Sequence, residues 1–245
     1  MKTNAFLKTA IIPIILALVL MSCEKEKQGG LTLKFSGTTP TSGLAIKSSN
    51  ADAVVVIESF KINIGEIELE FHDDQFISDS IGWDDEIELK GPFEIDLIKN
   101  GDGMVTTILS NVELPPAGYE EIEFEFKKSR NSISEMYQKT VLVKGTINGV
   151  PFVYWTDEEF EVEIEFDDEV YVDEATLAVV NVSFNIASLF DPAQGGINIA
   201  NATDGNGNGI IEIFEDDPDG NEDLAERIED RLDDIIEAFE DQYDD

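Results

Sequence analysis

The chain has 245 residues, with 16 Lys and Arg against 53 Asp and Glu and a formal net charge of −37. Phosphate backbones are held by Lys and Arg, so this balance excludes nucleic acid as a partner and disfavours lying flat on anionic lipid, while it favours solubility and divalent cations. A hydrophobic content of 42%, with the acids interleaved among apolar residues, separates the chain from disordered acidic segments.

Lys2 and Lys8 are the only charges before residue 23, and an apolar run follows from Ala10 to Met21. The run is shorter than the ~20 residues that span a bilayer, so residues 1–22 read as a secretory signal. It ends in Leu20-Met21-Ser22-Cys23, which resembles a bacterial lipobox. That resemblance implies cleavage after Ser22 and diacylglycerol on the thiol of Cys23. Cys23 is the only cysteine, so an internal disulfide is excluded and lipidation gives the thiol a use. The alternative is an ordinary signal peptide with a chance cysteine. Two acyl chains with an acylated amine give stable anchoring, and residues 23–30 read as a tether. The expected location is the Gram-negative outer membrane, in its periplasmic or its surface-facing leaflet. Loss of residues 1–22 removes two lysines and no acid, which leaves 14 basic and 53 acidic residues, a charge of −39.

The region 31–200 alternates. Glu159 to Phe166 reads EFEVEIEF, Glu121 to Phe126 reads EIEFEF, Glu66 to Phe71 reads EIELEF and Glu86 to Leu89 reads EIEL. Successive strand side chains face opposite ways, so these are half-buried antiparallel strands with acidic, solvated outer faces. Between Ala53 and Phe71 the apolar parity changes. Val54, Val56, Phe60, Ile62 and Ile64 share one phase, and Ile67, Leu69 and Phe71 the other, which predicts a bulge at Gly65. Further strands are expected at Leu31–Phe35, Phe93–Ile98, Val105–Leu109, Thr140–Ile147, Val150–Trp155 and Thr176–Ile186. Asn148-Gly149 predicts a hairpin turn. Lys127 to Lys139 reads as a long loop or a seam between two small sandwiches. The fold class is mainly β, an antiparallel β-sandwich, as one large unit or two small stacked ones.

Residues 221–245 change period. Leu224, Ile228, Leu232, Ile235 and Phe239 recur every three or four residues, which predicts an amphipathic helix from about Glu222 to Asp241 with Asn221 as N-cap. Its apolar stripe docks on the sheets or takes up a partner.

Residues 201–220 are rich in Asp, Asn and Gly. Asp204, Asn206, Asn208, Ile210, Glu212 and Glu215 fall at positions 1, 3, 5, 7, 9 and 12 of a D-x-[DN]-x-[DN]-G-x5-E pattern, with Gly209 at the turn. These positions supply calcium with oxygen ligands, Ile210 through its carbonyl. The stretch resembles an isolated EF-hand or dockerin-type loop, or the acidic calcium repeats of thrombospondin type; in the latter Asp216, Asp217, Asp219 and Asp223 could add ligands. The bland alternative is a glycine-rich linker.

Little else carries chemistry. His72 is the only histidine, so zinc sites of the His/Cys kind are excluded by count, and a Ser–His pair would need His72. With 53 acids a pair of carboxylates is uninformative. Trp83, Tyr154 and Trp155 are candidates for an exposed aromatic ligand platform, with core packing as the default for Trp155. INIGEIELEF, VELPPAGYEEIEFEF and VSFNIASLF resemble a family of uncharacterised bacterial lipoproteins with β-sandwich domains; the Leu114 to Ile122 turn is the most specific piece. The resemblance implies fold and location. The expected role is non-enzymatic binding or scaffolding, of a glycan or an envelope protein, with Ca²⁺ as cofactor. The rivals are a carboxylate-dependent glycan hydrolase and a structural subunit of a surface fibre.

Overall fold

The computed structural model describes residues 29–38, 46–47, 54–71, 86–115, 117–172 and 177–240. Cys23, His72, Trp83, the signal segment and most of the tether lie outside them. The described chain is mainly β, and its strands form two sheets.

The larger sheet is organised by one strand, β3 (Val54–Phe71). One edge of β3 pairs antiparallel with β4 (Glu86–Lys99) from Ser59 to Glu70. The other edge is shared. Its first half, Val55 to Ile62, pairs with β8 (Val141–Ile147), and its second half, Ile64 to Phe71, pairs with β7 (Ala117–Phe126). Beyond β7 lies β10 (Phe160–Val172), and beyond β8 lies β9 (Val150–Thr156). Two-residue strands at Ile46–Lys47 (β2) and Asp102–Gly103 (β5) pair with β3 and β4. The smaller sheet has β1 (Gly29–Thr38) between β6 (Val105–Leu114) and β11 (Leu177–Asn185).

The sheets are mixed, which corrects the purely antiparallel expectation. β1 pairs with β11 in parallel, and so does β9 with β12 (Ile211–Ile213). Parallel pairing joins segments far apart in sequence and leaves no hairpin signal to read. Thr176–Ile186 also ends differently, since Ile186–Phe190 turns into a short helix, α1.

One cluster of buried residues draws on both sheets. Leu31, Leu33 and Phe35 of β1 are buried, as are Ile122, Phe124 and Phe126 of β7. Phe35 meets Phe124 edge-on at 5.3 Å, and Phe184 stacks on Phe35 at 6.0 Å. The Leu114 to Ile122 turn carries the chain from the small sheet to the large one. Leu114 and Tyr119 are buried beside it, and the Tyr119 hydroxyl donates to the Pro115 carbonyl at 3.0 Å.

The predicted bulge is present, as a register shift between Ile64 and Glu66 against both neighbours of β3. A second shift, between Ile57 and Ser59, was not expected. Because of it Val55 and Ile57 are buried, while Val54 is exposed and Val56 half-buried. The parity before Phe60 is therefore opposite to the expected one. Asn148 and Gly149 both take positive φ, 53° and 82°, as the tight hairpin predicted from Asn-Gly requires. Residues 127–140 form the long loop and not a seam: they pass the chain from β7 to β8 along the same edge of β3, with Ser129 and Met136 fully buried.

The C-terminal helix, α2, runs Glu222–Glu240. Ala225 and Ile228 are fully buried, and Leu224 and Leu232 pack partly against the core.

Gly145 of β8 faces Ile57 beside the second shift. A Cβ there would stand 1.9 Å from the Val56 carbonyl oxygen and 2.9 Å from the Phe152 ring. Backbone cannot yield as a side chain does, so Gly145→Ala is expected to destabilise by about 1–3 kcal/mol. Thermal unfolding should fall by roughly 2–12 °C at this chain length; an unchanged midpoint would contradict the packing of β8 on β3.

Candidate functional site

Registers across four strands line up the alternating glutamates. Glu86, Glu70, Glu121 and Glu165 form one cross-strand row over β4, β3, β7 and β10; Glu88, Glu68, Glu123 and Glu163 form the next; Lys90, Glu66, Glu125 and Glu161 form the third. Eleven of these twelve positions are Glu. The residues between them, such as Leu69, Ile122 and Ile164, are buried on the opposite face. A period of two therefore produces both the core and the glutamate face.

Neighbouring strands lie ~4.8 Å apart. Like charges directly opposite one another destabilise a sheet, and in water two charges at ~4 Å repel by ~1 kcal/mol. The first two rows each hold three Glu–Glu pairs and the third holds two. Protonation answers the crowding. Partial burial, with the charges of Glu163 and Glu70, pushes the Glu121 carboxyl up to about 7. Partial burial, with Glu161 and Glu68, pushes Glu123 to about 7 as well. Glu68 is raised by burial and by Glu86 and Glu66. Glu66 is held low instead, first by its hydrogen bond from Lys90 at 2.7 Å. Oxygens of Glu66, Glu68 and Glu88, of Glu121, Glu163 and Glu165, and of Glu123, Glu125 and Glu161 gather within 4.8 Å in three groups. Hard oxygen donors at such spacing suit calcium or magnesium in charge and chemistry.

The sequence-predicted loop, residues 204–215, lies at the far end of the sheet and is held by its own side chains. Asp204 accepts from the amides of Gly207, Asn208 and Gly209 at 2.7–3.0 Å. Asn206 accepts from the Asn208 amide, and Asn208 from that of Ile210. Both Asn side chains donate to one oxygen of Glu212 at 3.1 Å. Thus Asn206, Asn208 and Glu212 converge directly, and Asp204 is fixed over the same turn. Glu215 is exposed and joins none of them. Its charge bears on Glu229 of α2, whose carboxyl is raised by burial and then by Glu158, Glu215 and Asp157. None of the three carboxylate groups gathered within 4.8 Å among the described residues includes Asp204, Glu212 or Glu215.

Asp219 closes the loop from beneath. Its two oxygens accept from the amides of Asn206 at 3.0 Å and Glu212 at 2.8 Å. Buried Asp217 accepts in turn from the amides of Asp219 and Asn221. These carboxylates, read from sequence as further ligand candidates, bond backbone. Asn221 stands where the N-cap was expected, and its carbonyl accepts from Leu224 and Ala225. Its side chain turns the other way: it donates to the carbonyls of Thr203 and Glu212 and accepts from the Thr203 amide. The expected cap is a clasp between loop and helix.

The aromatic platform is corrected in part. Tyr154 and Trp155 are consecutive strand residues, so they face opposite sides of the sheet. Tyr154 is 0% exposed, in the core, and presents no ring to solvent. Trp155 is half-buried, stacked on Phe214 at 4.9 Å, with the Lys139 ammonium 5.5 Å from its ring. Trp83 lies outside the described residues.

Metal-free stability separates the closing residues from the exposed one. Asp219→Ala strands two amides and should cost about 2–4 kcal/mol, a fall of roughly 4–16 °C. Glu215→Gln should stay within about 0.5 kcal/mol of the parent, as exposed substitutions do. Equal effects in a chelator-treated thermal melt would contradict this division.

No family model matches the chain, and neither does any curated protein or solved structure.

Proposed function

We propose that the protein is a lipid-anchored, non-enzymatic binding or scaffolding protein of the Gram-negative envelope that takes up divalent cations, calcium foremost. The observation that carries this reading is the glutamate face, eleven carboxylates in twelve register-locked positions. A cation between rows relieves a repulsion that otherwise only protons relieve. The loop at Asp204 to Glu215 supports the same reading with a second set of oxygens. We read the two sheets as the layers of a β-sandwich, which displays the face outward on a tether from Cys23. Outward display suits a glycan or another envelope protein as partner, joined through the bound cations.

Protons and cations should compete, and the sign follows from the raised groups. Glu121 and Glu123 have folded values near 7 against an ordinary 4.5. The folded state therefore binds more protons, and the stability this contributes is fully present below about 4.5 and lost as pH rises to about 7. Metal-free protein should melt at a lower temperature at pH 8 than at pH 5.5. Millimolar calcium at pH 8 should raise the midpoint by roughly 2–6 °C, since binding at ten times Kd stabilises by about 1.4 kcal/mol. At pH 5 the gain should shrink.

Glu123→Gln removes a charge from the middle row. Without metal at pH 8 it should raise the midpoint by a few degrees, because like charges opposite it are relieved. It should also reduce the calcium-dependent gain. Calorimetric titration with calcium at fixed ionic strength checks the second part; full binding by the variant would remove the face as a cation site.

A further inference from the structure

Where β3 passes from β8 to β7, a cleft of about 480 Å³ opens beside the bulge at Gly65. Its volume lies in the range of small-molecule sites. The lining reverses the sign of the molecule. Lys90, Lys127, Lys128 and Arg130 stand around it, against Glu66 and Glu159, so the lining carries +2 in a chain of −37. Four of the 16 basic residues of the chain meet at this one place.

Three of those cations are engaged. Lys90 bonds Glu66 and Glu88, Lys127 bonds Glu125, and Lys128 bonds Asp157 at 2.7 Å. Arg130 is exposed and has no ion-pair partner among the described residues. Its planar fork of donors matches a carboxylate in two parallel bonds. The wall of the cleft also holds an unmet acceptor. Asn63 is 0% exposed; its Nδ2 donates to the Lys127 carbonyl at 2.7 Å, while its buried Oδ1 has no donor. Gln138 lines the cleft in a left-handed conformation, φ 60°, which costs a residue with a Cβ ~1 kcal/mol and recurs at ligand sites. The cleft thus offers a guanidinium with no ion-pair partner among the described residues, an amide, paired ammonium groups and carboxylate acceptors. Apart from Pro92 it has few apolar walls.

We propose that this cleft binds a carboxylated sugar, a hexuronate residue, with its carboxylate on Arg130 and its hydroxyls among Gln138, Glu159 and the lysines. An apolar ligand would leave the charged and amide groups of the lining unanswered. A bare inorganic anion would leave the acceptors unmet, whereas a polyhydroxylated anion answers both kinds of group. The cleft shares Glu66 with one of the proposed cation groups, so the test works in chelator to keep sugar binding apart from metal binding.

The full-length protein is titrated with glucuronate, glucose and sulfate by calorimetry and ligand-observed NMR. Salt of about 150 mM screens the distant negative charge, with a Debye length near 8 Å. The expected result is binding of glucuronate, with glucose and sulfate at least tenfold weaker. Arg130→Gln should weaken glucuronate at least tenfold at an unchanged melting temperature, while Arg227→Gln on α2 leaves the affinity as it was. Gln138→Gly should weaken binding while the fold is as stable or more so. Glucose or sulfate binding as tightly as glucuronate would overturn the proposal. So would equal losses in the Arg130 and Arg227 variants, or unaltered affinity in both cleft variants. Calcium titrations are unaffected by either outcome.

Discussion

Like charge on one face of four paired strands is the constraint from which the rest of the architecture follows. The same alternation that buries Ile67, Phe124 and Ile164 sets Glu68, Glu123 and Glu163 side by side. A one-residue slip would move glutamates into the core and apolar residues into water, so the hydrophobic term locks the register. Each buried aliphatic or aromatic side chain contributes ~1.5–3 kcal/mol, which outweighs ~1 kcal/mol of exposed Glu–Glu repulsion. The core therefore wins and the carboxylates adjust by holding protons or, on the proposed reading, metal. The single cation of the grid, Lys90, sits at its edge row and relieves Glu66 alone among the glutamates of β3.

Sharing one edge of β3 between β7 and β8 creates a second constraint. At the changeover the chain must leave the ladder, and backbone groups there need other partners. Asn63 supplies part of the answer: its amide N–H reaches the Thr140 carbonyl and its side chain the Lys127 carbonyl. Glu94 supplies another part, accepting from Ser129 and Ser134 at 2.6 Å to hold the connecting loop down. The gap left between departing and arriving strands is the basic cleft. Its cations collect where the glutamate rows end, so a single sheet face grades from acidic to basic along the strands.

Elements with a local signal were legible in the sequence. The Glu–apolar strands, the Gly65 bulge, the Asn-Gly hairpin and the terminal helix each rest on a period or a turn residue within a few positions. What was not legible depends on partners distant in sequence. Alternation shows that Glu123 faces water; it does not show that Glu68 and Glu163 stand on either side. The parallel pairings of β1 with β11 and β9 with β12 give no turn to recognise. Tyr154 and Trp155 were read as neighbours of one surface, although strand geometry places them on two. The shift after Ile57 escaped because Val54, Val55, Val56 and Ile57 are all apolar, and a continuous apolar run carries no parity.

The loop at Asp204 to Glu215 shows how a metal motif and a structural turn can share one set of atoms. Its side chains bond the loop's own amides and each other, and Asp217, Asp219 and Asn221 tie it to the helix. A calcium ion would have to displace the two amide bonds to Glu212 and rotate the Asn oxygens inward. It would also have to draw Glu215 in from solvent to supply the bidentate ligand. Each rearrangement subtracts from the affinity, whereas the underlying closure by Asp219 remains. On the proposed reading the loop would bind calcium as weak extracellular modules do, of the order of 10⁻⁴ to 10⁻³ M, and not as cytosolic sensors do. Such a site stays folded when empty, so calcium would tighten the join between β12 and α2 without being required to form it.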